Sequence, residues 1–248
     1  MGVHPAAAEG FGRAAAAYER GRPSYPDAAI EWMVTSLGIG PGTTVIDLGA
    51  GTGKFTRMLL PTGARLVAVE PVAAMREALA LAVPGVEVLD GTAQAIPCPD
   101  ASVDAITAAQ AFHWFAGMAA ITEMHRVLRQ RGGLGLIWNR RDHGDPLQAA
   151  LDVIVRRYRG QAPAHEADGW RDVIQGSPLF RPAGERQFTH EQIVDADGLV
   201  DRVLSISFIA MLSDDERAVV AEEVRDLARG RAQIALRYRT DVFLFRRS

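Results

Sequence analysis

The stretch from Thr43 to Leu60, TTVIDLGAGTGKFTRMLL, leaves this chain few folds to choose from. Thr44, Val45, Ile46 and Leu48 are β-branched or apolar, a short run suited to a buried parallel strand. Asp47 interrupts the run near its end, and Gly49-Ala50-Gly51-Thr52-Gly53 follows at once. Phe55, Met58 and Leu59 then recur at helical spacing. Strand, glycine turn and helix in that order set backbone N–H groups and a helix N-terminus beside a crevice, where ligands bind. The glycine spacing restricts the ligand. A dinucleotide fingerprint would need its third glycine where Lys54 stands, and a P-loop would need Gly-Lys-Ser/Thr to close the turn. The pattern is instead G-x-G-x-G with an acid two residues before it. Glu70 ends the next apolar run, Leu66 to Val69, where a carboxylate can accept both hydroxyls of a ribose.

This combination resembles motif I and the following acidic residue of class I methyltransferases, which bind S-adenosylmethionine (SAM). The resemblance implies an α/β fold: a Rossmann-like, doubly wound, mostly parallel seven-stranded sheet with helices on both faces. Five parallel strands follow from the alternation of patterns, and the last two rest on the resemblance. It further implies that Asp47, Gly49, Ala50, Gly51 and Gly53 hold the methionine part of SAM and that Glu70 holds the ribose. Pro71, Met75, Ala93 and Gln110 join the implied cofactor set, Met75 being either core or an adenine or ribose contact. Asp90 to Pro97 is similar to the family's adenine-side loop, with Thr92 where many members carry an acid.

Near the N-terminus, Phe11 to Arg20 reads as a short alanine-rich helix, and Asp27 as the cap of a helix running to about Leu37. Between them, Tyr-x-x-x-Arg-Pro-x-Tyr-Pro from Tyr18 to Pro26 is similar to the opening of small-molecule methyltransferases related to the trans-aconitate enzyme, the type 11 group. There it implies a lid over SAM, with Arg22 meeting the SAM carboxylate and Tyr18 and Tyr25 on the acceptor side. The plainer reading is a surface segment packing its tyrosines on the domain.

Ser102 to Ala108 reads as a fourth strand ending at Gln110-Ala111-Phe112-His113-Trp114-Phe115. In a doubly wound sheet that end faces the same crevice as the glycine loop. His113 and Trp114 are therefore either acceptor-pocket residues or packed aromatic core, with Phe112 and Phe115 as packing. Ile121 to Arg129 reads as a helix with His125 on its surface, Gln130 to Gly133 as a turn, and Leu134 to Trp138 as the fifth strand. Trp138-Asn139-Arg140-Arg141-Asp142 resembles the family's Trp-Asn-x-Arg-Asp, so Trp138 and Arg140 either line the acceptor site or belong to a solvated loop. Residues 146–182 read as a helical insertion, Glu185 to Ile193 as a sixth strand, and Tyr238 to Arg246 as a terminal one. Ser213-Asp214-Asp215-Glu216 is a capping box for a helix through Val219, Val220, Val224 and Leu227.

A net charge of −3 carries no nucleic-acid footprint, and no metal-ligand cluster, signal region or membrane-length apolar run is seen. The lone Cys98 excludes an internal disulfide and points to a reducing, cytoplasmic setting. One domain over residues 1–248 is expected: lid and first helix (1–37), SAM-binding core (38–138), and acceptor-site insertion with terminal strands (139–248). The resemblance implies methyl transfer from SAM to a small-molecule acceptor through O, N or C, without metal. His113 is the candidate base if the acceptor is a phenol, indole or amine, and an arginine would orient a carboxylate. A SAM-binding protein without catalysis is the alternative. A nicotinamide oxidoreductase is disfavoured by Lys54, and a macromolecular acceptor by the lack of a basic patch.

Overall fold

The computed structural model describes residues 21–160 and 169–248, so the expected Phe11–Arg20 helix lies outside the described residues. Two compact units emerge: a sheet unit of Tyr25–Asn139, Pro163–Phe188 and Thr240–Ser248, and a helical unit of Met1–Ser24, Arg140–Ala162 and Thr189–Arg239.

A seven-stranded, mostly parallel sheet has the order β3-β2-β1-β4-β5-β7-β6. The strands are β1 (Thr44–Leu48), β2 (Arg65–Val69), β3 (Glu87–Leu89), β4 (Val103–Ala109), β5 (Leu128–Arg141), β6 (Phe180–Val194) and β7 (Ile234–Arg247). β1 lies parallel between β2 and β4, with Asp47 opposite Ala68 on one side and Thr107 on the other. The chain runs outward from β1 through β2 to β3, then returns to β4 on β1's other side and on to β5. That reversal is the switch point at which such sheets bind ligands beyond their carboxyl ends.

Helices α1 (Asp27–Leu37), α2 (Lys54–Leu59), α3 (Ala73–Ala82) and α4 (Met118–Val127) cover the sheet unit. Because neighbouring strand residues face opposite sides, Val45 packs with Ile30, Met33 and Leu37 of α1, while Ile46 packs with Ile121 and Met124 of α4. Burial on both sides is why these strands read as continuous apolar runs.

Several local expectations are corrected. Pro26, not Asp27, takes the N-cap of α1, and its side chain makes no capping bond; Asp27 sits in the first turn, where its charge still favours the helix dipole. α4 ends at Val127, and Gln130 to Gly133 is not a free turn but part of β5. There β4 residues Val103 and Ala105 pair with Leu128 and Gly133, so the extra residues bulge out, with Arg131 at φ +67. His125 is half-buried, accepting at Nε2 from Arg247 at 3.2 Å, rather than on the surface.

The helical unit has its own apolar core. Here lie α5 (Pro146–Arg157), α7 (Ala196–Leu204), the single turn α8 (Ser207–Ala210) and α9 (Asp214–Ala228); the short α6 (Gly169–Gln175) belongs to the sheet unit. Leu151 and Val155 of α5 meet Leu199 and Val203 of α7 and Val220 and Val224 of α9. The Ser213 capping box forms with both of its bonds to Glu216, but Val219 is 51% exposed and outside the buried stripe. No described helix is long and apolar enough to cross a membrane.

Candidate cofactor and acceptor site

The glycine loop owes its shape to three left-handed residues: Gly49 (φ +70), Gly51 (φ +58) and Gly53 (φ +82). The N–H groups of Gly49 and Ala50 donate to the Val69 carbonyl, at 2.8 and 3.3 Å, and so tie the loop to the end of β2. Glu70 then braces it from that strand. Its Oε2 accepts from the Gly51 N–H and its Oε1 from the Val72 N–H, each at 2.9 Å. Burial pushes the Glu70 carboxyl above its ordinary value, opposed by the Val72 and Gly51 bonds and by Arg76. Arg76 donates to the Glu70 carbonyl at 2.8 Å and makes a two-pronged contact with Asp90, linking the ends of β2 and β3.

The glycines differ in what surrounds them. A Cβ on Gly53 would stand 2.8 Å from Leu79 Cγ and 2.9 Å from Val83 Cγ2, so it is needed for the packing of α2 on α3. A Cβ on Gly51 would meet nothing within 4 Å. Gly51 thus presents open space beside a buried carboxylate and suits a ribose-bearing cofactor. Gly53→Ala is expected to cost roughly 2–4 kcal/mol of stability through left-handed strain and overpacking. Gly51→Ala is expected to cost only about 1–2 kcal/mol yet to weaken S-adenosylhomocysteine (SAH) binding at least tenfold. Urea unfolding paired with calorimetry checks both; equal stability losses with equal affinity losses would contradict this division.

Asp47 faces inward. It is 2% exposed, accepting from the Thr56 hydroxyl at 2.6 Å and the Thr107 hydroxyl at 3.3 Å. Burial lifts its pKa from 3.8 to about 6, against those hydrogen bonds and with a push from Glu70. The folded value lies above the unfolded one, so the stabilisation is whole below about pH 4 and is lost as pH rises through 6. Asp47→Asn cannot ionise. Between pH 4 and 7.5, its stability relative to the parent should improve by about 3 kcal/mol, read by denaturant unfolding at each pH. A difference independent of pH would contradict it. Sequence reasoning missed Thr56 and Thr107 as partners of Asp47; the signal was three polar residues that β1, α2 and β4 converge upon.

Beyond β4, Gln110 adopts φ +56 and donates from Nε2 to the Asn139 carbonyl at 3.1 Å. The turn then doubles back over Phe112–Trp114. A Cβ on Gly49 would lie 2.8 Å from Ala111 Cβ and 3.5 Å from Phe115, so this turn packs directly on the glycine loop. Trp138 donates its indole N–H to His113 Nδ1 at 3.3 Å, and the Trp114 ring lies 5.0 Å from the imidazole. Trp138 is itself 1% exposed, stacked on Trp170 at 4.6 Å, so it stands behind His113. With Nδ1 accepting from Trp138, this contact assigns the ring proton to Nε2.

Of the other expected residues, Met75 is buried and Pro71 half-buried. Thr92 and Ala95 bridge each other by two backbone bonds, with buried Ala93 between them. Tyr25 packs edge-on against Phe55 at 5.3 Å. Arg22 and Arg140 belong to the helical unit, where Arg22 donates to the Ser205 carbonyl at 3.1 Å. Tyr18 lies outside the described residues. No three described His, Cys, Asp or Glu side chains are grouped to hold a metal.

The family described as "Methyltransferase domain" matches residues 46–136, from β1 into β5. An uncharacterized methyltransferase of Mycobacterium tuberculosis is 39% identical over 217 residues, 88% of this chain and 84% of that protein. The fold is shared with a provisionally assigned type II methyltransferase from Anaeromyxobacter dehalogenans (TM-score 0.62, 24% identity, 91% of this chain and 97% of that one). It is shared too with a geranyl diphosphate methyltransferase solved in complex with SAM (TM-score 0.53, 16% identity, 90% and 85% covered). With the glycine loop, the buried acid ending β2 and the open side of Gly51, the family match and the 39% identity to the mycobacterial methyltransferase establish that the chain belongs to the class I SAM-dependent methyltransferases, with SAM as its cofactor.

Proposed function

We propose that this methyltransferase acts on a small-molecule acceptor held at the turn after β4. The observation that carries the reading is the packing of Ala111 and Phe115 on Gly49, since these two residues flank Phe112-His113-Trp114 in the turn. Bound SAM supplies a methyl group already activated by its sulfonium. What remains for the chain is to bind, align and exclude water, and alignment alone is worth about 7–11 kcal/mol in favourable cases. The Gly49–Gly53 loop and Glu70 hold the cofactor. Half-buried Trp114 and Phe115 supply an apolar surface backed by buried Phe112 and Trp138, and the His113 Nε2–H orients an electron-rich atom of the acceptor. Aromatic surface of this kind fits a small planar or apolar molecule better than a nucleic acid.

The test is transfer of label from methyl-labelled SAM across panels of small acids, phenols, indoles and amines, alongside tRNA, DNA and protein extracts. Label in one small-molecule class, and none in the macromolecules, is expected. Label found only in macromolecules would overturn the reading.

A further inference from the structure

The helical unit buries an arginine that has no ion-pair partner among the described residues. Arg202, on α7, is 9% exposed. Its Nε donates to the Tyr238 hydroxyl at 3.1 Å, while its Nη1 is buried without a hydrogen-bond partner. Among the described residues no carboxylate forms an ion pair with it. A buried charge without a partner is destabilising, and natural folds retain such groups where something else completes them.

The surroundings hold the guanidinium rather than neutralise it. Tyr238 donates onward to Gln192 Oε1 at 3.4 Å, and Gln192 Nε2 donates to the Gly21 carbonyl at 3.2 Å. The Ser205 hydroxyl donates to the Arg202 carbonyl at 2.8 Å, and the Ser205 carbonyl in turn accepts from Arg22, a second cation. Gly21 also presses on the α7 backbone, where a Cβ would come within 2.5 Å of the Arg202 nitrogen. The guanidinium is therefore oriented through Nε, while Nη1 is left buried with its donors unmet.

We infer that Arg202 is the centre of a carboxylate-binding site within the helical unit, distinct from the glycine loop. The end-on Nη1–Nη2 edge offers two parallel N–H donors at the spacing of the two oxygens of a carboxylate. A planar carboxylate matches that edge better than a tetrahedral phosphate. The ligand is a free small carboxylate bound within the helical unit.

Benzoate and inorganic phosphate are the probes, titrated against the full-length protein at matched ionic strength with scanning calorimetry. Benzoate should give a saturable rise in melting temperature, and phosphate a smaller one. Arg202→Met should melt no lower than the parent in chloride and lose the benzoate response, since the buried charge is then gone. Arg202→Lys serves if the methionine variant does not fold. It keeps charge and stem but not the fork, and its benzoate affinity should fall at least tenfold. A parent that does not respond to benzoate, a phosphate response equal to that of benzoate, or unchanged benzoate affinity in either variant would overturn the inference.

Discussion

Glu70→Ala is expected to weaken SAH binding roughly ten- to a hundredfold and also to lower stability. Both effects come from one side chain because Glu70 has two tasks. Its oxygens accept from the Gly51 and Val72 N–H groups, and at 6% exposure the carboxylate is nearly sealed in. Removing it deprives two backbone donors of their acceptor at about 1–3 kcal/mol each where no water replaces it. The ribose loses a charged acceptor worth roughly 1.5–3 kcal/mol, the source of the affinity change. Glu70→Gln separates the tasks. Its single carbonyl can still serve one N–H, so stability should largely return while the missing charge still weakens binding. Calorimetry with SAH and denaturant unfolding of both variants provide the measurement. Full SAH affinity in a folded Glu70→Ala protein would contradict a cofactor role.

His113→Ala is the second large effect. As the donor assigned by the Trp138 contact, His113 would contribute a hydrogen bond to an acceptor atom, and its loss should lower kcat/KM about 10- to 100-fold. His113→Asn, which keeps an N–H donor, should recover much of that. Action as a base requires the other tautomer, with a proton on Nδ1 pointing at the Trp138 N–H. A base of that kind is typically worth about 10²–10⁴ in rate, and asparagine cannot replace it. Trp138→Phe removes the N–H that sets the tautomer and should change the pH profile of the parent reaction. Kinetics with an identified acceptor, alongside melting temperatures, distinguish these cases. An alanine variant with full activity would place His113 in the packing alone.

The parts legible in the sequence are those whose causes are local. The glycine loop declares itself because left-handed turns and close approaches need glycine at fixed offsets, as at Gly49 and Gly53. Glu70 was recognisable because an acid ending an apolar strand has few reasons to be there. Less legible were features set by partners distant in the chain. The inward turn of Asp47 depends on Thr107, a residue of the neighbouring strand. The orientation of His113 depends on Trp138, and that of Trp138 on Trp170. The Gln130–Gly133 bulge was hidden because a strand that bulges and a turn before a strand share the same residues. Arg202 carried no signal at all, since only the folded unit shows that it is buried with Nη1 unpaired.

The glycine loop and Glu70 are built to accept an adenosyl methionine ligand and not a dinucleotide. Isothermal calorimetry of the intact chain with SAH and with NAD in the same buffer tests this most directly. One SAH bound per chain and no heat from NAD is the predicted result. NAD binding with no response to SAH would contradict it.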